Sequence, residues 1–174
     1  MTNKFALITF LLTLPVIGYC QQSTLNDPLL DSMTGKWVLS GDITGKATTH
    51  DVEVEWALNH QFLRIHETSR EKTAQSLPQY EAEVYLGLDA KKGEYVVHWI
   101  DVFGGSFSSM GYGAKSGNSI PLVFKSPDGD FHTTFTFDEK SGTWQWTMDS
   151  EKDGKLQPFA RLKMVRSDGK KVSS

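Results

Sequence analysis

From Lys36 onward, apolar residues alternate with polar ones in short runs, and Gly-, Asn- and Asp-rich turns divide the runs. Alternation with a period of two marks a strand with one buried face and one wet face. About ten such runs fit between residues 34 and 167, with no linker, charge block or low-complexity stretch between them. The pattern predicts a single antiparallel all-β domain over 34–167. Ahead of it, within segment 21–33, "STLNDPLLDSM" predicts a short helix. Asn26 or Asp27 can cap it, Pro28 suits its first turn, and Leu29, Leu30 and Met33 form an apolar stripe.

Two similar loops, "DAKKG" and "DEKSG", set the strand register. In each, the Asp can bond back to turn amides, and the Gly accepts the left-handed backbone that ends a four-residue hairpin loop. Asp138 then flanks the loop opposite Thr143, which sets Phe137 by Trp144, Phe135 by Trp146 and Thr133 by Met148. The same spacing sets Leu88 by Tyr95, Leu86 by Val97, Val84 by Trp99, Ala82 by Asp101 and Tyr80 by Phe103. A tight turn at Asn59-His60 sets Trp56 by Leu63, Val54 by Ile65 and Val52 by Glu67. One face of this sheet is apolar except for two carboxylates, Asp101 and Glu67. The other face carries Glu81, Glu83, Tyr85, Glu94 and His98, with His66 also outward. The stretch "TSREKTAQSLPQ" reads as a long loop at a barrel mouth.

Sequential strands joined by hairpins favour an up-and-down barrel, because closure removes exposed strand edges. Ten strands leave room inside for a small ligand. A short helix followed by Gly35-Lys36-Trp37 resembles the start of a lipocalin, in the calycin superfamily. The resemblance implies that Trp37 packs at the closed end beneath an Arg of the last strand; Arg166, which shares parity with Ala160, Leu162 and Met164, is the first choice for it and Arg161 the second. Over nearly the whole of 21–167, "LLDSMTGKW", "LGLDAKKGEYVVHWIDVFGG" and "LKMVR" resemble a bacterial family of exported lipocalin-like domains without an established activity. That likeness implies a fold and an address more than a function. A haem-binding barrel family is also similar at the first strand and uses a His of its last strand as iron ligand. The segment "PFARLKMVR" has no His, which argues against haem.

The first twenty residues change the picture of where the domain works. One positive charge, Lys4, precedes an apolar run from Phe5 to Ile17, the shape of a secretory signal peptide over 1–20 and too short to span a bilayer comfortably. A cut before Gln21 leaves a periplasmic or secreted chain; acylation of Cys20 is the alternative, disfavoured by Tyr19 before it. Cys20 is the one cysteine, so the cut chain has neither a disulfide nor a thiol nucleophile. Losing Lys4 takes the net charge from −3 to −4, which disfavours nucleic acid and anionic membrane surfaces as partners. Residues 168–174 read as a flexible tail.

Candidate chemistry is sparse. Asp101 and Glu67 are the inward carboxylates, each either a polar anchor for a ligand or a structural group bonded to strand-end amides. Trp56, Trp99, Trp144 and Trp146, with Tyr80, Tyr95, Phe103, Phe135 and Phe137, are candidates to line the interior and grip an apolar or aromatic ligand, or simply to be core. The five histidines show no metal-ligand spacing, and no nucleophile elbow or phosphate-cradling loop is present. The pairs Glu53 with Glu55 and Glu81 with Glu83 read as solvated walls. No catalytic residue, metal or cofactor is assigned. The expectation is a barrel that encloses a small apolar molecule, oriented by Asp101. The alternatives are an isomerase- or lyase-type enzyme using Asp101 or Glu67 as base, and a non-catalytic envelope or stress module with a solid core.

Overall fold

The computed structural model describes residues 24–89 and 91–167. The segment expected to be a signal peptide and the expected tail, residues 168–174, lie outside the described residues. Ten antiparallel strands close into one barrel: β1 (Gly35–Ile43), β2 (Lys46–Ala57), β3 (Phe62–Ser69), β4 (Glu81–Asp89), β5 (Glu94–Asp101), β6 (Ser109–Gly113), β7 (Ser119–Phe124), β8 (Phe131–Asp138), β9 (Thr143–Lys152) and β10 (Lys155–Arg166). Each pairs with the next, and β10 returns to β1, with a bulge between Pro158 and Ala160.

The hairpin loops impose the register expected from them. Asp138 stands opposite Thr143, Phe135 opposite Trp146, Val84 opposite Trp99, Ala82 opposite Asp101, and Val52 opposite Glu67. In both loops the Asp carbonyl accepts the Gly amide at 2.8 Å, and the Asp Oδ1 accepts the amide two residues on at 3.0 Å. Gly93 and Gly142 have φ near 65° and 63°, the left-handed backbone that closes such a loop.

With parity fixed, alternate side chains fill the lumen. Leu63, Ile65, Val84, Leu86, Trp144 and Trp146 are each 1% exposed or less. Burying a side chain of this size contributes about 1.5–3 kcal/mol, and these residues form one packed core cluster with Trp37, Met33 and Phe135.

The helix differs from the expected one. Residues 24–27 are irregular, and helix α1 is confined to the six residues Pro28–Met33. Asp27, not Asn26, is the cap: its side chain accepts the Leu29 amide at 2.9 Å. Pro28 lacks an amide hydrogen and so loses nothing in the first turn. Leu29, Leu30 and Met33 face the barrel core.

Candidate functional site

The two ends of the barrel hold different kinds of polar group. At the end nearest α1, β1 opens with Gly35, where a Cβ would lie 2.1 Å from Arg166 Nη1 at a φ of +120°. Only Gly lets the Arg166 guanidinium reach the Ser32 and Thr34 carbonyls, at 3.0 and 2.5 Å, and lie 3.9 Å over the Trp37 ring. The Trp37 indole donates to the Met33 carbonyl at 2.7 Å. Tyr95 donates its hydroxyl to Asp27, and Lys115 Nζ lies 3.3 Å from the same carboxylate. Trp56 donates to Asp31 at 2.9 Å and stacks on His60 at 3.9 Å. Trp144 packs on Phe137 at 5.1 Å. Thus Tyr95, Trp56 and Trp144, expected to meet a ligand, stand at the helix end. Phe135 and Trp146 pack on each other at mid-barrel, 4.6 Å apart, with the Trp146 indole bonded to Thr133 at 2.7 Å.

The opposite end carries a chain of polar side chains that the sequence reading did not assemble. Extending the parity of Trp56, Val54 and Val52 back along β2 turns His50 and Thr48 inward. His50 pairs with Ser69 of β3, one step beyond Glu67 on the same face. His50 Nδ1 meets Glu67 Oε1, and both side chains are 3% exposed. His50 Nε2 meets Thr48 Oγ1 at 2.7 Å, and Thr48 in turn donates to Glu71 Oε2 at 3.2 Å. The Thr49 amide donates to the other oxygen of Glu71, also at 3.2 Å. The Glu71 carboxyl is held below the usual carboxylate range, first by its own backbone amide and then by Thr49, Thr48 and His50. The second oxygen of Glu67, Oε2, is buried and has no hydrogen-bond partner.

Aromatic rings lead from this chain to solvent. Tyr80 stacks on His50 at 5.8 Å, Phe103 lies against Tyr80 at 5.9 Å, and Phe107 against Phe103 at 5.9 Å. Phe103 and Phe107 are 62% and 65% exposed. Phe103 therefore does not line the interior: β5 ends at Asp101, and the next residues turn outward along the rim. Trp99 donates to the Tyr80 hydroxyl at 3.0 Å. Burial, with the Glu67 charge adding to it, pushes the Tyr80 hydroxyl far above its usual value, so it stays neutral and keeps its proton to donate.

Asp101 takes up the strand-end position. It is half-buried and inward by register, and its Oδ1 accepts the Phe103 amide at 2.9 Å. Its field still reaches Tyr80. The buried interior carboxylate is Glu67, at 2% exposure.

Outside, Arg64 bridges Glu55 at 2.8 Å and Glu83 at 2.5 Å, Lys36 meets Glu53 at 3.2 Å, and His66 meets Glu81 at 2.9 Å. These carboxylates form a solvated wall. One group with metal-ligand chemistry was not legible from spacing: Asp130, His132 and Glu151 bring donor atoms within 4.8 Å of one another on the outer wall. Lys125 already neutralises Asp130 there, and His132 and Glu151 are about one-third exposed. A small open cleft of about 190 Å³ lies beside the β1–β2 turn, lined by Asp42, Thr44 and Phe159 among others.

No protein-family signature matches the chain, and no curated protein matches it. Among solved structures, it is similar to the crystal structure of Rv2717c from M. tuberculosis, with a TM-score of 0.56 at 16% identity. The match covers 81% of this chain and 98% of that one. At that identity the likeness shows the barrel fold alone.

Proposed function

We propose that the chain is an exported, lipocalin-like barrel of calycin type that binds a small molecule at its open end. The polar end of the ligand meets the Thr48–His50–Glu67 chain, and its apolar body lies over Tyr80, Phe103 and Phe107. One observation carries this reading: the buried His50–Glu67 pair, with an unpartnered carboxylate oxygen, at the foot of an aromatic path to solvent. A buried polar pair of this kind contributes little net stability, because removing two groups from water costs about what their attraction returns. An unpartnered buried oxygen costs a further 1–3 kcal/mol or so. Both features are costs that a binding site carries more readily than a purely structural one. Trp99 and Asp101 belong to this site through Tyr80. The packed lumen below favours a ligand held at the mouth rather than enclosed at depth.

Glu67, His50 and Thr48 also stand in the order of a carboxylate–imidazole–hydroxyl relay, which is the specific observation for an enzyme. The Thr48 hydroxyl donates to Glu71, however, so its proton points away from the imidazole. The geometry favours binding over turnover. Export is supported by the charged start and apolar run of residues 1–20, and N-terminal sequencing of protein from its own host should begin at Gln21.

Native mass spectrometry of that protein tests the binding reading. A bound small molecule is expected, and it should be lost in the Phe103→Ser/Phe107→Ser variant. Thermal stability of that variant should be nearly unchanged, because exposed positions contribute within about 0.5 kcal/mol. A wild-type chain that carries no added mass, and whose tryptophan fluorescence ignores apolar probes, would remove the proposal.

A further inference from the structure

We propose that the open end recognises a carboxylic acid, and that Glu71 is the chain's own occupant of that subsite. This rests on the binding reading above and names the ligand class. The argument begins with the edge of β2. Arg70, just past β3, donates its amide to the Thr49 carbonyl at 2.9 Å. The reciprocal donor, the Thr49 amide, turns to the Glu71 carboxylate instead of to backbone. One oxygen of that carboxylate takes the Thr49 amide and the other takes the Thr48 hydroxyl, each at 3.2 Å. An amide N–H and a neighbouring O–H converging on two oxygens form a carboxylate cradle.

Hydrogen-bond direction supports the same reading. With its own proton committed to Glu71, the Thr48 oxygen accepts from His50 Nε2. The Thr48 hydroxyl and the Thr49 amide thus present their hydrogens together to one acceptor group.

Glu71 is held loosely enough to leave. Its side chain is only half-buried, both bonds from Thr48 and Thr49 are long, and its remaining donor is its own backbone amide, which is no part of the cradle. Its backbone is pinned separately: its carbonyl accepts the Gln79 amide at 2.9 Å, and Thr73 and Leu77 pair within the loop at 2.8 Å. Exchange therefore needs a side-chain rotation and not an opening of the loop. The neighbouring rings of Tyr80, Phe103 and Phe107 supply the surface for a flat or aliphatic body attached to the incoming carboxylate.

A competitor that fills a site nine-tenths of the time weakens apparent affinity about tenfold. The test uses the full chain and a matched pair of probes, phenylacetate and phenethyl alcohol, followed by calorimetry and tryptophan fluorescence. Wild type should bind phenylacetate more tightly than the alcohol. Glu71→Ala should tighten phenylacetate by roughly tenfold and leave the alcohol unchanged. Glu71→Gln, which keeps the shape, should fall between. Adding Thr48→Val to Glu71→Ala should abolish the gain, with melting curves confirming that each variant is folded. The proposal is overturned if Glu71→Ala leaves phenylacetate affinity unchanged, or tightens both probes equally. In those cases alcohol binding would leave the mouth-binding reading standing. If neither probe binds and no copurified mass is found, both readings fall together.

Discussion

At the helix end of the barrel, four side chains tie α1 and its flanks to the strands, while the buried Trp144 indole nitrogen has no hydrogen-bond partner. Trp37 bonds α1, Arg166 bonds the two carbonyls that flank Met33, Tyr95 bonds Asp27, and Trp56 bonds Asp31. At the opposite end Glu67, His50, Thr48 and Glu71 also link β2 to β3 and the loop beyond it, but as one continuous side-chain relay, and its buried Glu67 oxygen is left over beside the ring of Tyr80. The apolar residues differ in the same sense. Trp37 is 1% exposed, whereas Phe103 and Phe107 stand mostly in solvent. Polar contacts that tie segments together raise the cost of unfolding. A relay that ends on an unpartnered oxygen, beside exposed rings, leaves capacity for another molecule.

The largest effect is expected at the helix end. Trp37→Ala removes a fully buried indole, its bond to Met33 and the surface under Arg166. A loss of about 3–5 kcal/mol is expected from the cavity and the transfer of the ring, read as a lowered urea midpoint. Gly35→Ala should cost roughly 1–3 kcal/mol through backbone strain alone, before Arg166 is displaced. Neither change should alter ligand affinity of the molecules that remain folded. A Trp37→Ala variant with near wild-type stability would show that this end is not what holds the barrel closed.

The helix end was also the more legible in the sequence, for a physical reason. The Trp37–Arg contact was what the resemblance at Gly35-Lys36-Trp37 implied, strand parity selected Arg166 for it, and two hairpin loops with Asp and Gly at fixed spacing carry that parity around the sheet. The open end depends on residues whose meaning appears only across strands. His50 sits six residues before Trp56 on the same strand face, so its inward direction was present in the alternation. Its partner Glu67 was identified as inward, yet their contact is diagonal across β2 and β3 rather than between paired positions. Glu71 lies in a loop, where period-two reasoning has nothing to say. Asp101 had the right parity, but a strand's last residue meets the rim, where its carboxylate caps the Phe103 amide. Phe103 fails as a lining residue for the same reason: alternation stops where the strand stops.

A second, intermediate effect separates binding from stability at the open end. Replacing both partners of the buried pair, His50→Leu with Glu67→Leu, removes the unpartnered oxygen and the desolvation of two polar groups. Such swaps are often neutral or stabilising by about 1–4 kcal/mol, whereas removing one partner and leaving a buried charge costs about 3–5 kcal/mol. The double variant should therefore match or exceed wild type in denaturant, His50→Leu alone should fall well below it, and the double variant should bind no ligand. The two sites touch, so the cycle will be non-additive. A double variant less stable than either single one would mean that the pair is structural, and the contrast between the ends would dissolve.

The smallest effect concerns Glu71 and acid. Its carboxyl lies below the ordinary value of 4.5 in the folded chain, chiefly because its own backbone amide, Thr49 and Thr48 donate to it. A group whose pKa is depressed by folding adds stability above its unfolded value and loses that contribution as pH falls through its folded value. Glu71→Gln removes the ionisation and keeps the shape. The difference in unfolding free energy between wild type and Glu71→Gln should then be level from neutral pH down to about the unfolded value, and decline to zero as pH falls on through the lower, folded value. Its plateau should not exceed about 1 kcal/mol, since the side chain is half in water and screened by salt. Asp51, Asp130 and Asp138, also held low by their partners, titrate alike in both proteins and cancel in the difference. A difference that grew in acid would mean that Glu71 is strained in its cradle rather than held by it. That sign would place Glu71 with the tightly packed groups of the helix end, not among the exchangeable groups of the mouth.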